Sequence, residues 1–97
     1  MVQTVRSQWV PAGEKTIVFE KPRVLQRIFF GVYVIDCNTS GHDLKLSFDD
    51  PRLHSFFTLD GPVKKFEARG ADIFQGDLWI ANSSQAVLLY SATQILH

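Results

Sequence analysis

The residues best suited to chemistry lie between positions 42 and 54. His42, Asp43, Asp49, Asp50 and His54 together offer imidazole and carboxylate ligands of the kind Zn or Mn accepts. Their spacing matches neither an HExxH helix nor an EF-hand loop, and Asp49-Asp50-Pro51 is ordinary turn chemistry, so no metal is expected. A glycosidase needs two carboxylates facing each other across a cleft. Glu14, Glu20 and Glu67 supply carboxylates only in the sense that any acid-bearing chain does. Cys37 is the single cysteine and ends an apolar run, where a free thiol behaves as a small hydrophobe. A nucleophilic cysteine needs a base and an accessible, electropositive setting, and no such signature surrounds it. The chain therefore reads as a non-enzyme with no cofactor.

Two further chemistries depend on side chains with flat or charged ends. Trp9 and Trp79, with Tyr33 and Tyr90, are candidates for a platform on which sugars stack. Against this, Trp79 stands between Leu78 and Ile80, a setting that suits packing. The basic residues Arg6, Lys15, Lys21, Arg23, Arg27, Lys64, Lys65 and Arg69 are dispersed among acids. They form no stripe of the sort that tracks a phosphate backbone.

The elements that must carry these residues are strands. Gly and Pro punctuate the chain about every ten residues, the interval of short strands in a sandwich or barrel. Thr16-Ile17-Val18-Phe19 is the first convincing strand, rich in β-branched and aromatic residues. Val24 to Cys37 is the most strand-like segment, with apolar residues on both faces, which places it centrally or beneath a partner. Gly31 within it marks a bulge or a close neighbour. Leu44, Leu46 and Phe48 alternate with Lys45 and Ser47 beyond the polar loop Asn38-Thr39-Ser40-Gly41-His42. Phe56 to Leu59 reads as a short strand closed by Asp60-Gly61-Pro62, and Lys64 to Ala68 as a charged edge strand. Leu78 to Ala81 and Ala86 to Leu96 read as a closing hairpin around Asn82-Ser83-Ser84-Gln85. About seven or eight strands without a convincing helix predict an all-β, single-domain, two-sheet sandwich with jelly-roll-like connections. Residues 1–13, weakly patterned and ending at Pro11-Ala12-Gly13, are expected to form an N-terminal arm, and residues 14–97 the sandwich domain.

Composition narrows the partners. The 97 residues carry 10 Lys+Arg against 10 Asp+Glu, which argues against a dedicated nucleic-acid binder and against a polybasic membrane-surface protein. A hydrophobic share of 45%, with 12% aromatic, excludes a disordered chain. No apolar run is long enough for a bilayer-spanning helix, and no leader-like segment opens the sequence. The aromatic content exceeds what a thin sandwich readily buries, which points to protein–protein contact. Trp9, Phe29, Tyr33, Trp79, Leu88 and Tyr90 are the candidate interface residues.

The run from Gly70 through Asp72-Ile73-Phe74-Gln75-Gly76, Leu78-Trp79-Ile80 and Asn82-Ser83-Ser84 to Tyr90 resembles the closing segment of small bacteriophage virion β-sandwich proteins. The two-sided segment Val24 to Cys37, followed by Asn38-Thr39-Ser40-Gly41 and Asp43 to Asp50, is similar to an earlier part of the same pattern. The likeness spans Lys15 to Leu96. Leu88, Leu89 and Tyr90 depart from it, standing where a Thr/Val-rich exit strand is usual. The resemblance implies a capsid cement or decoration subunit, commonly a homotrimer, that binds the major capsid protein or other virion proteins and resides in the virion. The alternative it leaves open is a tail- or fibre-associated module that binds a carbohydrate or receptor.

Overall fold

A computed structural model describes residues 2–23, 27–38, 41–48, 57–59 and 61–97. Among these residues eight strands follow one another: β1 (Val2–Val10), β2 (Lys15–Phe19), β3 (Phe30–Cys37), β4 (Gly41–Ser47), β5 (Phe57–Leu59), β6 (Val63–Arg69), β7 (Leu78–Asn82) and β8 (Leu88–Leu96). A single helical turn, α1 (Gly70–Ile73), interrupts them. The first sheet has the order β1-β8-β3-β6 and the second β2-β7-β4-β5, with all pairings antiparallel. The pairs β4–β5, β3–β6, β2–β7 and β1–β8 are nested one inside the next, which is a long hairpin rolled into two sheets. That is the strand order of an eight-stranded jelly roll, so the all-β sandwich expected from the sequence is the fold.

Alternation explains why the sheets close on each other. On β8, Leu88, Tyr90, Ala92, Gln94 and Leu96 are buried while the residues between them are partly exposed. On β3 the buried set is Gly31, Tyr33, Ile35 and Cys37, and on β7 it is Leu78, Ile80 and Asn82. Tyr33 sits at the centre: its ring stacks on Phe66 at 4.9 Å and meets Phe48 edge-on at 5.4 Å. Such aromatic pairs add about 0.5–1.5 kcal/mol beyond the area they bury. Gly31 is a close-packing position, since a Cβ there would stand 2.9 Å from both Leu96 and Tyr33 side-chain carbons. Gly70 is tighter still, lying against the Ile28 carbonyl with no room for a methyl group.

Three expectations are corrected. Val2–Val10 is not an arm but an edge strand laddered to β8. The long strand expected over Val24 to Cys37 begins only at Phe30, while residues 24–26 lie outside the described set. The closing segment is not a hairpin: β7 lies in the second sheet, β8 in the first, and the chain crosses between layers over 83–87. Asn82 enforces that crossing. Its buried amide donates to the carbonyls of Val10 (3.0 Å), Pro11 (3.3 Å) and Ala86 (2.8 Å), while its Oδ1 accepts from the Ser84 N–H at 3.1 Å and from the Ser84 hydroxyl. The strand Phe56 to Leu59 is seen as Phe57–Leu59, and Asp49-Asp50-Pro51, Phe56 and Asp60 fall outside the described residues. Lys64 to Ala68 lies within β6, an outer strand of the first sheet as expected.

Candidate functional site

The outer face of the first sheet follows from its register, because residues directly opposite in an antiparallel pair point to the same side. Val2, Ile95, Val32 and Glu67 form one row across β1, β8, β3 and β6, and Thr4, Thr93, Val34 and Lys65 the next. Ser91, Asp36 and Val63 form a third row, and Trp9 with Leu89 closes the far end. At the near end Phe30 stacks on His97 with ring centroids 4.7 Å apart. Phe29 beside it is 78% exposed, although its backbone is pinned by N–H donation to the His97 carbonyl at 2.7 Å and by acceptance from Gly70 N–H at 2.9 Å. Val2 and Trp9 are exposed at 63% and 61%. The face thus carries apolar groups at both ends and hydroxyls with Asp36 between them. Large apolar side chains exposed on a rigid scaffold and rimmed by polar residues are the usual mark of a protein contact.

A bulge lies on this face. Pairing passes from Val5↔Ala92 directly to Gln8↔Tyr90, so Arg6 and Ser7 together oppose the one residue Ser91. Ser7 takes φ 50°, a left-handed conformation uncommon for a serine.

The second feature is a cleft of about 460 Å³ opening between the β1 edge of one sheet and the end of β2 in the other. Val5, Val18, Phe19 and Leu96 wall it, and the Gln3 and Gln94 side chains supply amides. Glu20, Lys21 and Arg23 stand at its mouth. Gln94 is buried and donates from Nε2 to the Tyr33 hydroxyl at 2.9 Å, so the cleft connects to the central aromatic cluster. The Asp77 carboxylate accepts the Lys21 N–H at 2.6 Å, which ties the end of β2 to the start of β7.

Of the expected interface residues, Trp9 and Phe29 are exposed as an interface requires. Trp79 is half-buried on the outer face of the second sheet, where the Lys15 ammonium lies 5.0 Å from its ring centroid. Tyr33, Leu88 and Tyr90 are corrected to core: each is at most 2% exposed, and in the alternation of β3 and β8 each points between the sheets. The sugar platform dissolves for the same reason, and Trp9 and Trp79 stand on opposite outer faces. Burial, reinforced by the Asp36 charge, pushes the Cys37 thiol up to about 11, so it is protonated at neutral pH and poorly nucleophilic. Tyr33 and Tyr90 are also raised, chiefly by burial. Among the described residues no group of three or more His, Cys, Asp or Glu converges to hold a metal. Asp49, Asp50, His54 and the His42 side chain lie outside that set.

Sequence reasoning missed both the cleft and the β1 edge. The cleft joins residues from the two ends of the chain, and no local pattern signals it. The edge had a signal that the bulge concealed. Val2 and Thr4 face outward before it and Trp9 after it, so a strict period of two fails across Val2–Val10. No family model, no curated protein and no solved structure matches the chain.

Proposed function

We propose that this chain is a non-enzymatic structural subunit of a bacteriophage virion, a capsid cement or decoration protein that binds neighbouring capsid proteins and associates with copies of itself. The observation that carries the reading is the outer face of the first sheet, where Val2, Phe30 and Trp9 are exposed on a well-packed domain, with the exposed Phe29 next to its end. The jelly-roll order agrees with it by analogy, since viral capsid domains use that architecture, although fold alone does not fix function. The direct test is co-sedimentation with shells assembled from a bacteriophage major capsid protein, that of the virion proposed to carry this chain. Saturable binding that Phe29→Asp and Val32→Asp abolish, in variants that still unfold cooperatively, supports the reading. Absence of binding by the unaltered chain overturns it.

A second reading, a carbohydrate- or receptor-binding module of a tail or fibre, is favoured by the cleft with its Gln3 and Gln94 amides beside the Phe19 ring. Lectin domains also use jelly rolls. Titration with a glycan panel, read by chemical shifts of Gln3 and Gln94 side-chain amides, decides it. Saturable shifts lost in Gln94→Leu favour this reading over the first.

A further inference from the structure

Two sheets of this kind present four edge strands, and three of them are protected. β6 carries Lys64, Lys65, Glu67 and Arg69. β5 is three residues long among the described residues, and β2 has five residues, with Lys15 and a register shift between Ile17 and Phe19. Charges, brevity and irregularity are the ordinary means of preventing strand addition. β1 differs, with nine residues, one charge (Arg6), no proline, and exposure along most of its length.

The hydrogen-bond phase shows which backbone groups β1 offers. His97 and Phe30 exchange bonds (N–H to carbonyl, 2.9 and 3.4 Å), and Asn38 donates to Leu89 at 3.0 Å. The odd-numbered residues of β8 therefore turn their backbone groups toward β3, and the even-numbered ones toward β1, as antiparallel alternation requires. On β1, Gln3, Val5, Gln8 and Val10 face those even residues and are engaged with β8. The N–H and C=O groups of Val2, Thr4 and Trp9 point to the open edge. Without the bulge, residues 2 and 9, being of opposite parity, would have opposite phase. The extra residue at Arg6-Ser7 brings both into the same phase and onto the same face.

We propose that β1 pairs with β1 of a second copy about a two-fold axis, Val2 opposite Trp9 and Gln3 opposite Gln8, joining two first sheets into one continuous sheet. In this register each ladder position meets its own complement. Val2 and Trp9, both edge-bonding and both outward, form a hydrogen-bonded pair that covers two exposed apolar side chains. Gln3 and Gln8, both engaged with β8, form the intervening non-hydrogen-bonded pair. Thr4 falls opposite Ser7. The bulge lies near the axis, where the Gln8 amide already covers the Arg6 carbonyl at 3.4 Å. The bulge that makes this strand irregular is thus what makes it self-complementary. The two-fold pairing gives a dimer as the unit of association, in place of the trimer implied by the resemblance, and it does not depend on a virion role.

The test is the solution mass of the full chain, by light scattering across a concentration series, with a cross-linking readout. The unaltered chain is expected to dimerise. Thr4→Pro removes a donor only from the open edge and is expected to weaken the dimer at least tenfold while leaving the melting temperature near its original value. In a Cys37→Ser background, Gln3→Cys with Gln8→Cys is expected to give a covalent dimer under mild oxidation, because Cα atoms of a non-hydrogen-bonded pair lie about 4.5 Å apart. Gln3→Cys alone is expected to give none. A monomer at every concentration overturns the proposal, as does a dimer that persists in Thr4→Pro or that cross-links equally through Gln3→Cys alone. Shell binding by a monomer would overturn the pairing and leave the virion reading standing. A β1-paired dimer that ignores shells would do the reverse.

Discussion

The two edges of the first sheet are built to opposite rules. β6 alternates outward Val63, Lys65, Glu67 and Arg69, so any strand approaching it must desolvate charge at nearly every step. β1 sets Val2, Thr4 and Trp9 on the same outer face and brings a single charge, Arg6. Each is laddered along its inner side, β1 on β8 and β6 on β3, so both are held by a full set of antiparallel pairings. The difference lies in what each edge permits from outside. An edge can be well laddered on its inner side and still be open on the other.

Both edges depend on the core beneath them. Tyr33→Ala removes the ring that stacks on Phe66 and is expected to cost about 3–5 kcal/mol, the usual range for truncating a buried aromatic. Denaturant unfolding measures it, and both edges should be lost in one transition. Asn82→Ala is smaller and one-sided. It leaves the Val10 and Pro11 carbonyls without their side-chain donor and is expected to cost about 1–3 kcal/mol. Hydrogen exchange should then rise at the Val10 end of β1 and not along β6. Lys65→Val with Glu67→Thr removes the guard from β6, shifting stability by about 0.5 kcal/mol or less. It should nevertheless drive association beyond the dimer, visible as a mass that keeps rising with concentration.

At neutral pH the smallest effect is that of the Cys37 thiol, which acts only in the alkaline range. Cys37 ends β3, the strand between β8 and β6. A thiol whose pKa is raised to about 11 keeps its proton in the folded chain at pH values where the unfolded chain has released it. Its contribution to stability is therefore complete below about pH 9 and is lost as pH climbs toward 11. Tyr33 and Tyr90, raised in the same direction, act similarly at still higher pH. A Cys37→Ala variant should show a shallower fall in melting temperature over that window.

How much of this was legible in the sequence depended on whether a signal was local. The alternation of β4 and the charged character of β6 are carried by neighbouring residues and were read directly. Pro11-Ala12-Gly13 was equally plain, with Gly13 at φ 76° and Glu14 N–H bonded to the Pro11 carbonyl. What failed was contextual. The Asn82-Ser83-Ser84-Gln85 segment has the composition of a hairpin turn, and only the carbonyls of Val10 and Pro11, more than half the chain away, make Asn82 the post of a crossing between sheets. Tyr33, Leu88 and Tyr90 have types suited equally to a core and to an interface, and burial alone separates the two. Trp9 is exposed because the register of β1 on β8 turns it to the outer face, away from the second sheet, and Phe29 is exposed just ahead of β3.

The nesting of the strand pairs carries a consequence for kinetics. β1–β8 is the outermost pair, with Val2 opposite Ile95, so its ladder joins segments at nearly the greatest separation the chain allows. Contacts of such sequence separation are slow to form, because the loop they close must lose its entropy first. Joining His97 to Val2 by a short linker and opening the chain at the exposed Ala12–Gly13 turn would turn this last pair into a local hairpin. The permuted chain should refold faster than the original, with native contacts and unfolding rate little changed. The slow closing step of the jelly roll would then be a property of where the chain is cut, not of the sheet it completes.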